Sequence, residues 1–194
     1  ITLRSKRKLV ISASGKQTGS MLDIGSGAGA FLSEMKAANW KVEGLEPDED
    51  ARKVAQADFN VEARPAEDFY ELPEGKYDVI TMWHVLEHVH ELDAYMEKIL
   101  KLLRPGGTFL IAVPNYDSLD ADRYKAGWAA YDVPRHLYHF CPDSMKFLLK
   151  RTGFKLQKMK WMPFDAFYVS MLSERYRNGS LIRGIWNGFC SYLV

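Results

Sequence analysis

The chain has little cysteine, no long apolar run and almost no net charge, and each shortage removes a class of protein. Cys141 and Cys190 are the only cysteines in 194 residues. They lie far apart and match no paired metal or redox spacing, so both read as free thiols of a reducing compartment. No apolar stretch approaches the ~20 residues of a membrane-spanning helix, and no signal peptide is visible. With 26 basic and 25 acidic side chains the formal charge is +1, which gives no global drive toward nucleic acid. Arg4, Lys6, Arg7 and Lys8 read as a solvated helix face. A cytoplasmic location without a nucleic-acid partner is expected.

What the chain does contain is an ordinary globular composition, 47% hydrophobic and 26% charged. Its length suits one α/β domain over residues 1–194. Periodicity and breakers alternate strands with helices, without repeats. A basic helix is expected at residues 2–13, with strands at Ser20–Ile24, Lys41–Glu46, Val61–Ala63, Tyr77–Trp83, Thr108–Val113 and Phe154–Trp161. Helices are expected near 30–38, 48–56, 91–103, 142–152, 165–176 and 180–192. This order implies a Rossmann-like, doubly wound, mostly parallel sheet of six to seven strands with helices on both faces. A seventh strand is expected to be absent or to lie beyond Val194. Residues 115–141, rich in Asp, Tyr, Pro and His, are long for a connection and read as a functional insertion. Residues 162–194 read as a helical extension.

The densest chemical signal is Leu22-Asp-Ile-Gly-Ser-Gly-Ala-Gly-Ala-Phe-Leu32, a strand ending in an acid and running into glycines that open a helix. Gly25, Gly27 and Gly29 let the chain turn tightly and bring backbone amides close to a ligand. Gly25, Gly27 and Ala30 also satisfy the dinucleotide fingerprint, and Glu46, ending the next strand, could bind a ribose diol in either case. Asp23 separates the two readings. A carboxylate directly before the glycines would repel a pyrophosphate on the following helix N-terminus. It suits a phosphate-free ligand with a cationic amino-acid end, such as S-adenosylmethionine. As a lone acid, Asp23 could equally be a cap or a brace for the loop.

Four segments together resemble class I S-adenosylmethionine-dependent methyltransferases, over roughly residues 18–161. They are Leu22–Gly29, Val42-Glu-Gly-Leu-Glu-Pro47, Tyr77–Val89 with its Val-Leu-Glu-His-Val, and Leu103–Val113 with its Leu-Arg-Pro-Gly-Gly. Within that family the set is most similar to small-molecule enzymes of the quinone-biosynthesis type. The resemblance implies S-adenosylmethionine as cofactor, S-adenosylhomocysteine as product and a small-molecule acceptor. It assigns Asp23 and the backbone of Gly25, Ser26, Gly27 and Gly29 to the methionine end. Glu46 would take the ribose hydroxyls, Pro47 would lie near the adenine, and Trp83 and His84 would line the cofactor near its methyl. Pro65 stands where relatives carry an adenine-binding aspartate, which moves that contact to the Ala66 backbone and Glu67.

Methyl transfer from a sulfonium mainly requires alignment, and a base only where the nucleophile must lose a proton. Trp128–Phe140 resembles a segment that covers the active site in some of these enzymes. Trp128 and Tyr131 are expected as apolar walls, Arg135 as a carboxylate partner or an ion pair with a neighbouring acid, and His136 as base or loop brace. His139 is expected to brace the loop. No metal is expected. A rival reading takes His84-Val-Leu-Glu87-His88 as a zinc-hydrolase signature, which needs one helix through both histidines. A second rival is a non-catalytic methyltransferase-like scaffold. Leu181, Ile182, Ile185, Trp186, Phe189 and Tyr192 recur at helical spacing, so residues 181–193 offer a dimer or peripheral membrane contact.

Overall fold

The computed structural model describes residues 2–177, 179, 180, 182, 184 and 187. They form two compact units that divide between Ala112 and Val113.

In the first unit, α1 (Leu3–Ser14) starts at Thr2, whose hydroxyl accepts the Ser5 N–H, and stops at Gly15. The elements that follow are β1 (Ser20–Ile24), α2 (Ala30–Ala37), β2 (Lys41–Leu45), α3 (Glu49–Phe59), β3 (Ala63–Arg64), β4 (Tyr77–Trp83), α4 (Leu92–Leu102) and β5 (Leu103–Ala112). Asp48 caps α3 by accepting the Asp50 N–H at 2.9 Å, which fixes the turn after β2. All pairings are parallel, in the order β3-β2-β1-β4-β5. The chain therefore winds outward from β1 to β3, returns, and continues on the other side of β1. That reversal puts the topological switch between β1 and β4, where such sheets open a crevice at their carboxyl ends.

The mostly apolar character of β4, five of its seven residues, follows from burial on both faces, and six of the seven are buried. Val10 of α1 and Phe31 and Met35 of α2 pack on Met21 and Val79. α4 buries Met96, Ile99 and Leu102.

At the amino edge Asp78 ties three segments together. It accepts the Ser20 N–H at 2.8 Å, and it pairs with Arg104 at 2.8 Å and Lys16 at 3.0 Å. Burial pushes the Asp78 carboxyl up, but the Ser20 N–H and the two cations outweigh it and hold the group below its ordinary value. Its stabilising effect is thus present above the unfolded-state pKa and is lost as pH falls through the folded one. Asp78→Ala is expected to cost about 2 kcal/mol in urea unfolding at pH 7, with the gap to wild type closing under acid. An unchanged midpoint would refute this.

β5 begins five residues earlier than the sequence suggests. Leu103 pairs with Tyr77 and Thr108 with Val79, so Arg104-Pro-Gly-Gly107 loops out within the strand instead of preceding it. β3 is displaced toward Ala63–Arg64, where it pairs with Gly44 and Leu45.

In the second unit, α5 (Leu119–Tyr124) and two 3-10 turns at Lys125–Gly127 and Ala129–Tyr131 precede α6 (Pro142–Arg151) and α7 (Pro163–Tyr176). The insertion has its own core. Ala121, Tyr124, Trp128 and Ala130 cluster with Tyr131 and with Val169 of α7. Ser173 of α7 accepts the Ala129 N–H at 2.8 Å, and Glu174 accepts the Tyr124 hydroxyl at 3.1 Å.

The expected strand at Phe154–Trp161 does not form, and the sheet has five strands rather than six or seven among the described residues. The pattern of that segment explains the difference. Strand geometry would put Lys155, Gln157, Met159 and Trp161 on one face and Phe154, Leu156, Lys158 and Lys160 on the other, each half polar. Neither row is apolar enough to be buried. The helix expected at 165–176 is present as α7. Apart from Ser180, Ile182, Gly184 and Asn187, the expected helix at 180–192 and the apolar stripe to Tyr192 lie outside the described residues.

Candidate active site

Asp23 sits at the switch point, in register with Thr81 of β4 and Gly44 of β2. It is only 2% exposed. The Thr81 hydroxyl donates to its Oδ1 at 2.5 Å. Burial raises the Asp23 pKa to about 7; the Thr81 hydrogen bond and the Lys6 ammonium oppose that rise, and Glu46 adds to it. A buried acid held at the edge of ionisation is poised for a cationic ligand.

Beyond Asp23 the chain turns over the end of β2. The Gly25 and Ser26 N–H groups both donate to the Leu45 carbonyl, at 2.8 and 3.0 Å. Gly25 has φ +75°, and a Cβ there would lie 2.3 Å from Val85 Cγ2. Glycine at this position is a packing requirement. Gly27, at φ +54°, is different, since a Cβ there would meet nothing within 4 Å. Its backbone borders open space, as a ligand cradle requires.

Glu46 faces this loop from the end of β2. Its Oε2 accepts the Gly27 N–H at 2.7 Å and its Oε1 accepts the Asp48 N–H at 3.1 Å. Each oxygen keeps a second lone pair for a hydroxyl donor. Arg52 steadies the turn by donating to the Glu46 carbonyl at 2.7 Å. Pro47 is exposed beside it, and Ala66 and Glu67 open a 3-10 turn after β3. Trp83 ends β4 edge-on to Phe31 at 5.8 Å, with the Lys6 ammonium 4.5 Å from its ring centroid. Asp23, the Gly25–Gly29 loop, Glu46, Trp83 and His84 are thus gathered at one edge. Thr81 and Lys6 were not expected there. Only the β1–β4 register brings the first to Asp23, and only the docking of α1 brings the second.

The zinc-hydrolase reading is not supported by the local backbone. His84 follows β4 in a left-handed conformation at φ +59°, and Leu86–His88 is one 3-10 turn. No helix carries both histidines, so they do not share the helical face the motif needs. Glu87 is buried, with Oε1 3.7 Å from His84 Nδ1.

Residues 3–158 match the methyltransferase domain family. The chain belongs to that family. This methyltransferase-domain chain is 25% identical over 170 residues to a ubiquinone biosynthesis O-methyltransferase of Hydrogenovibrio crunogenus, covering 81% of the chain and 68% of that protein. It spans 41% to 66% of the length of other curated proteins of the same name. Its fold matches a SAM-dependent methyltransferase from Archaeoglobus fulgidus at TM-score 0.64 and 21% identity, covering 93% and 86% of the two chains. It also matches a Burkholderia thailandensis 1,6-didemethyltoxoflavin N1-methyltransferase, solved with that compound and S-adenosylhomocysteine, at TM-score 0.61 and 22% identity, covering 81% and 69%.

In the insertion, Arg135 pairs with Asp132 at 2.7 Å, as one of its two readings anticipated. Trp128 is buried in the insertion's own core and donates from Nε1 to Asp120 at 2.8 Å. Tyr131 stacks edge-on against Trp128 and His139, and its carbonyl lies 3.0 Å from His139 Nε2. His136 Nδ1 lies 2.8 Å from the Ala130 carbonyl, and its Nε2 is 3.8 Å from Asp132 Oδ2.

Proposed function

We propose that this chain transfers the methyl group of S-adenosylmethionine to a small-molecule acceptor. The observation that carries the reading is a buried Asp23 beside an open glycine cradle and a second carboxylate, with no cation on the loop for a phosphate. A dinucleotide would bring its pyrophosphate against that acid. A sulfonium amino acid would bring an ammonium to Asp23 and a ribose diol to Glu46. When bound, the cofactor supplies an activated methyl on a good leaving group. The protein's share is to orient both reactants and exclude water, an effect worth several kcal/mol. The small-molecule acceptor is supported by the relatives, one a ubiquinone biosynthesis O-methyltransferase and one solved with bound 1,6-didemethyltoxoflavin.

His136 is the base in this reading. A ring that donates Nδ1–H to the Ala130 carbonyl keeps the lone pair on Nε2, the tautomer needed to accept a proton from a phenol or alcohol. Trp128 and Tyr131 give the acceptor-binding insertion its rigid aromatic body. His136→Gln is expected to lower kcat about 100-fold while leaving the calorimetric affinity for S-adenosylmethionine unchanged. A variant with full turnover at every pH would remove His136 from the chemistry. Titrating S-adenosylmethionine into the wild-type chain tests the broader reading, and absence of heat at millimolar ligand would favour a scaffold.

A further inference from the structure

We propose that α6 and the extended segment after it form a docking face for an anionic lipid surface. Residues 144–164 carry six cations, Lys146, Lys150, Arg151, Lys155, Lys158 and Lys160, and no acid. In a chain of net charge +1 the remainder is therefore net acidic, although residues 1–22 carry five further cations and no acid.

Helical geometry sorts that stretch cleanly. Met145 and Leu148 turn inward, while Lys146, Phe147, Lys150 and Arg151 recur at i, i+1, i+4 and i+5 on the exposed side. Gly153 then turns the chain, and residues 155–161 are all exposed, Leu156 and Met159 at about two-fifths (40% and 42%). Cations there alternate with Leu156, Met159 and Trp161. Phe147 and Trp161, at 65% and 70% exposure, are large apolar side chains left in water beside the cations. Lys146 pairs, among the described residues, only with the exposed Asp143. Among the described residues Lys150, Lys155, Lys158 and Lys160 join none of the ion pairs.

Clustered cations with interleaved aromatic and aliphatic side chains match the two layers of an anionic membrane surface. Charged headgroups meet the lysines, and the boundary below them takes the apolar groups. Aromatic rings could also stack on nucleic-acid bases, but Leu156 and Met159 have no stacking face and gain only from an apolar boundary. The other cation-rich stretch, residues 1–22, has no aromatic residue, so only this face combines cations with exposed Phe147 and Trp161. The proposal stands independently of methyl transfer.

Flotation of the full chain with phosphatidylcholine vesicles, with and without about 30 mol% phosphatidylglycerol, tests it. Binding is expected only to the anionic vesicles. Each cation near such a surface is worth about fivefold in partitioning, so Lys155→Glu/Lys158→Glu/Lys160→Glu should reduce binding about 100-fold or more. Trp161→Ala should reduce it about tenfold through lost insertion. Arg4→Glu/Lys8→Glu, on the other basic helix, should leave it unchanged. Equal binding to neutral vesicles, an unaffected triple variant that keeps its circular dichroism, or an unaffected Trp161→Ala would each overturn the proposal. So would displacement of the protein from vesicles by poly(U) at matched phosphate, which would assign the face to single-stranded nucleic acid.

Discussion

Asp23→Asn is expected to make the ligand-free protein more stable and the cofactor site useless. In the folded chain burial holds the Asp23 carboxyl near pKa about 7. A raised acid contributes relative stability below its unfolded value, and that contribution is lost as pH rises through the folded one. At pH 8 the wild-type protein therefore carries an ionised, buried carboxylate at a cost that asparagine does not incur. The amide oxygen can still accept the Thr81 hydroxyl that donates to Asp23 Oδ1. Melting of the variant without ligand should rise by about 5 °C at pH 8, on the order of 2 kcal/mol, and should match wild type near pH 4. Calorimetry should show affinity for S-adenosylmethionine down about 100-fold, the typical consequence of removing one partner of a buried charge pair. For the wild-type protein the affinity should be flat above pH 8 and fall as Asp23 takes up its proton below pH 7. A stable variant that binds normally would remove the acid from the site. A variant that melts lower at pH 8 would remove the argument from burial.

Gly27→Ala should separate ligand space from packing space in the same loop. Gly15 and Gly27 both have positive φ, at +67° and +54°, and a Cβ on either meets nothing within 4 Å. Each alanine variant should lose about 1 kcal/mol of stability through backbone strain alone. Gly15 ends α1, whereas Gly27 donates its N–H to Glu46 beside the cradle. Only Gly27→Ala should therefore weaken S-adenosylmethionine binding, by about 10- to 100-fold, as crowding of a fitted site does. Gly25→Ala is a different case, because its Cβ would strike Val85 and fold stability would fail first. Equal binding by the Gly15 and Gly27 variants would mean that the open space beside Gly27 is not where the cofactor lies.

Where local sequence and tertiary context agree, the elements were legible. Ser20–Ile24 and Tyr77–Trp83 read as strands because short apolar runs bounded by breakers have few other uses. The observed strands have those same limits. Phe154–Trp161 misled for the complementary reason. Its β-favouring residues satisfy local preference, but a strand also needs a partner and a buried face, and lysines on both faces deny it the latter.

The site divides along the same line. Asp23, the glycines and Glu46 could be picked out from sequence because each follows directly from a strand end, a position that periodicity reveals. By itself, then, the order of residues determined the alternating architecture, the acid-and-glycine turn and the family. Tertiary structure decided which side chains answer that acid. Thr81 reaches it by strand register and Lys6 by helix docking, and the burial that lifts its pKa comes from the whole packed edge. Proton affinity depends on the surrounding dielectric and charges, and these are properties of packing that no linear pattern encodes.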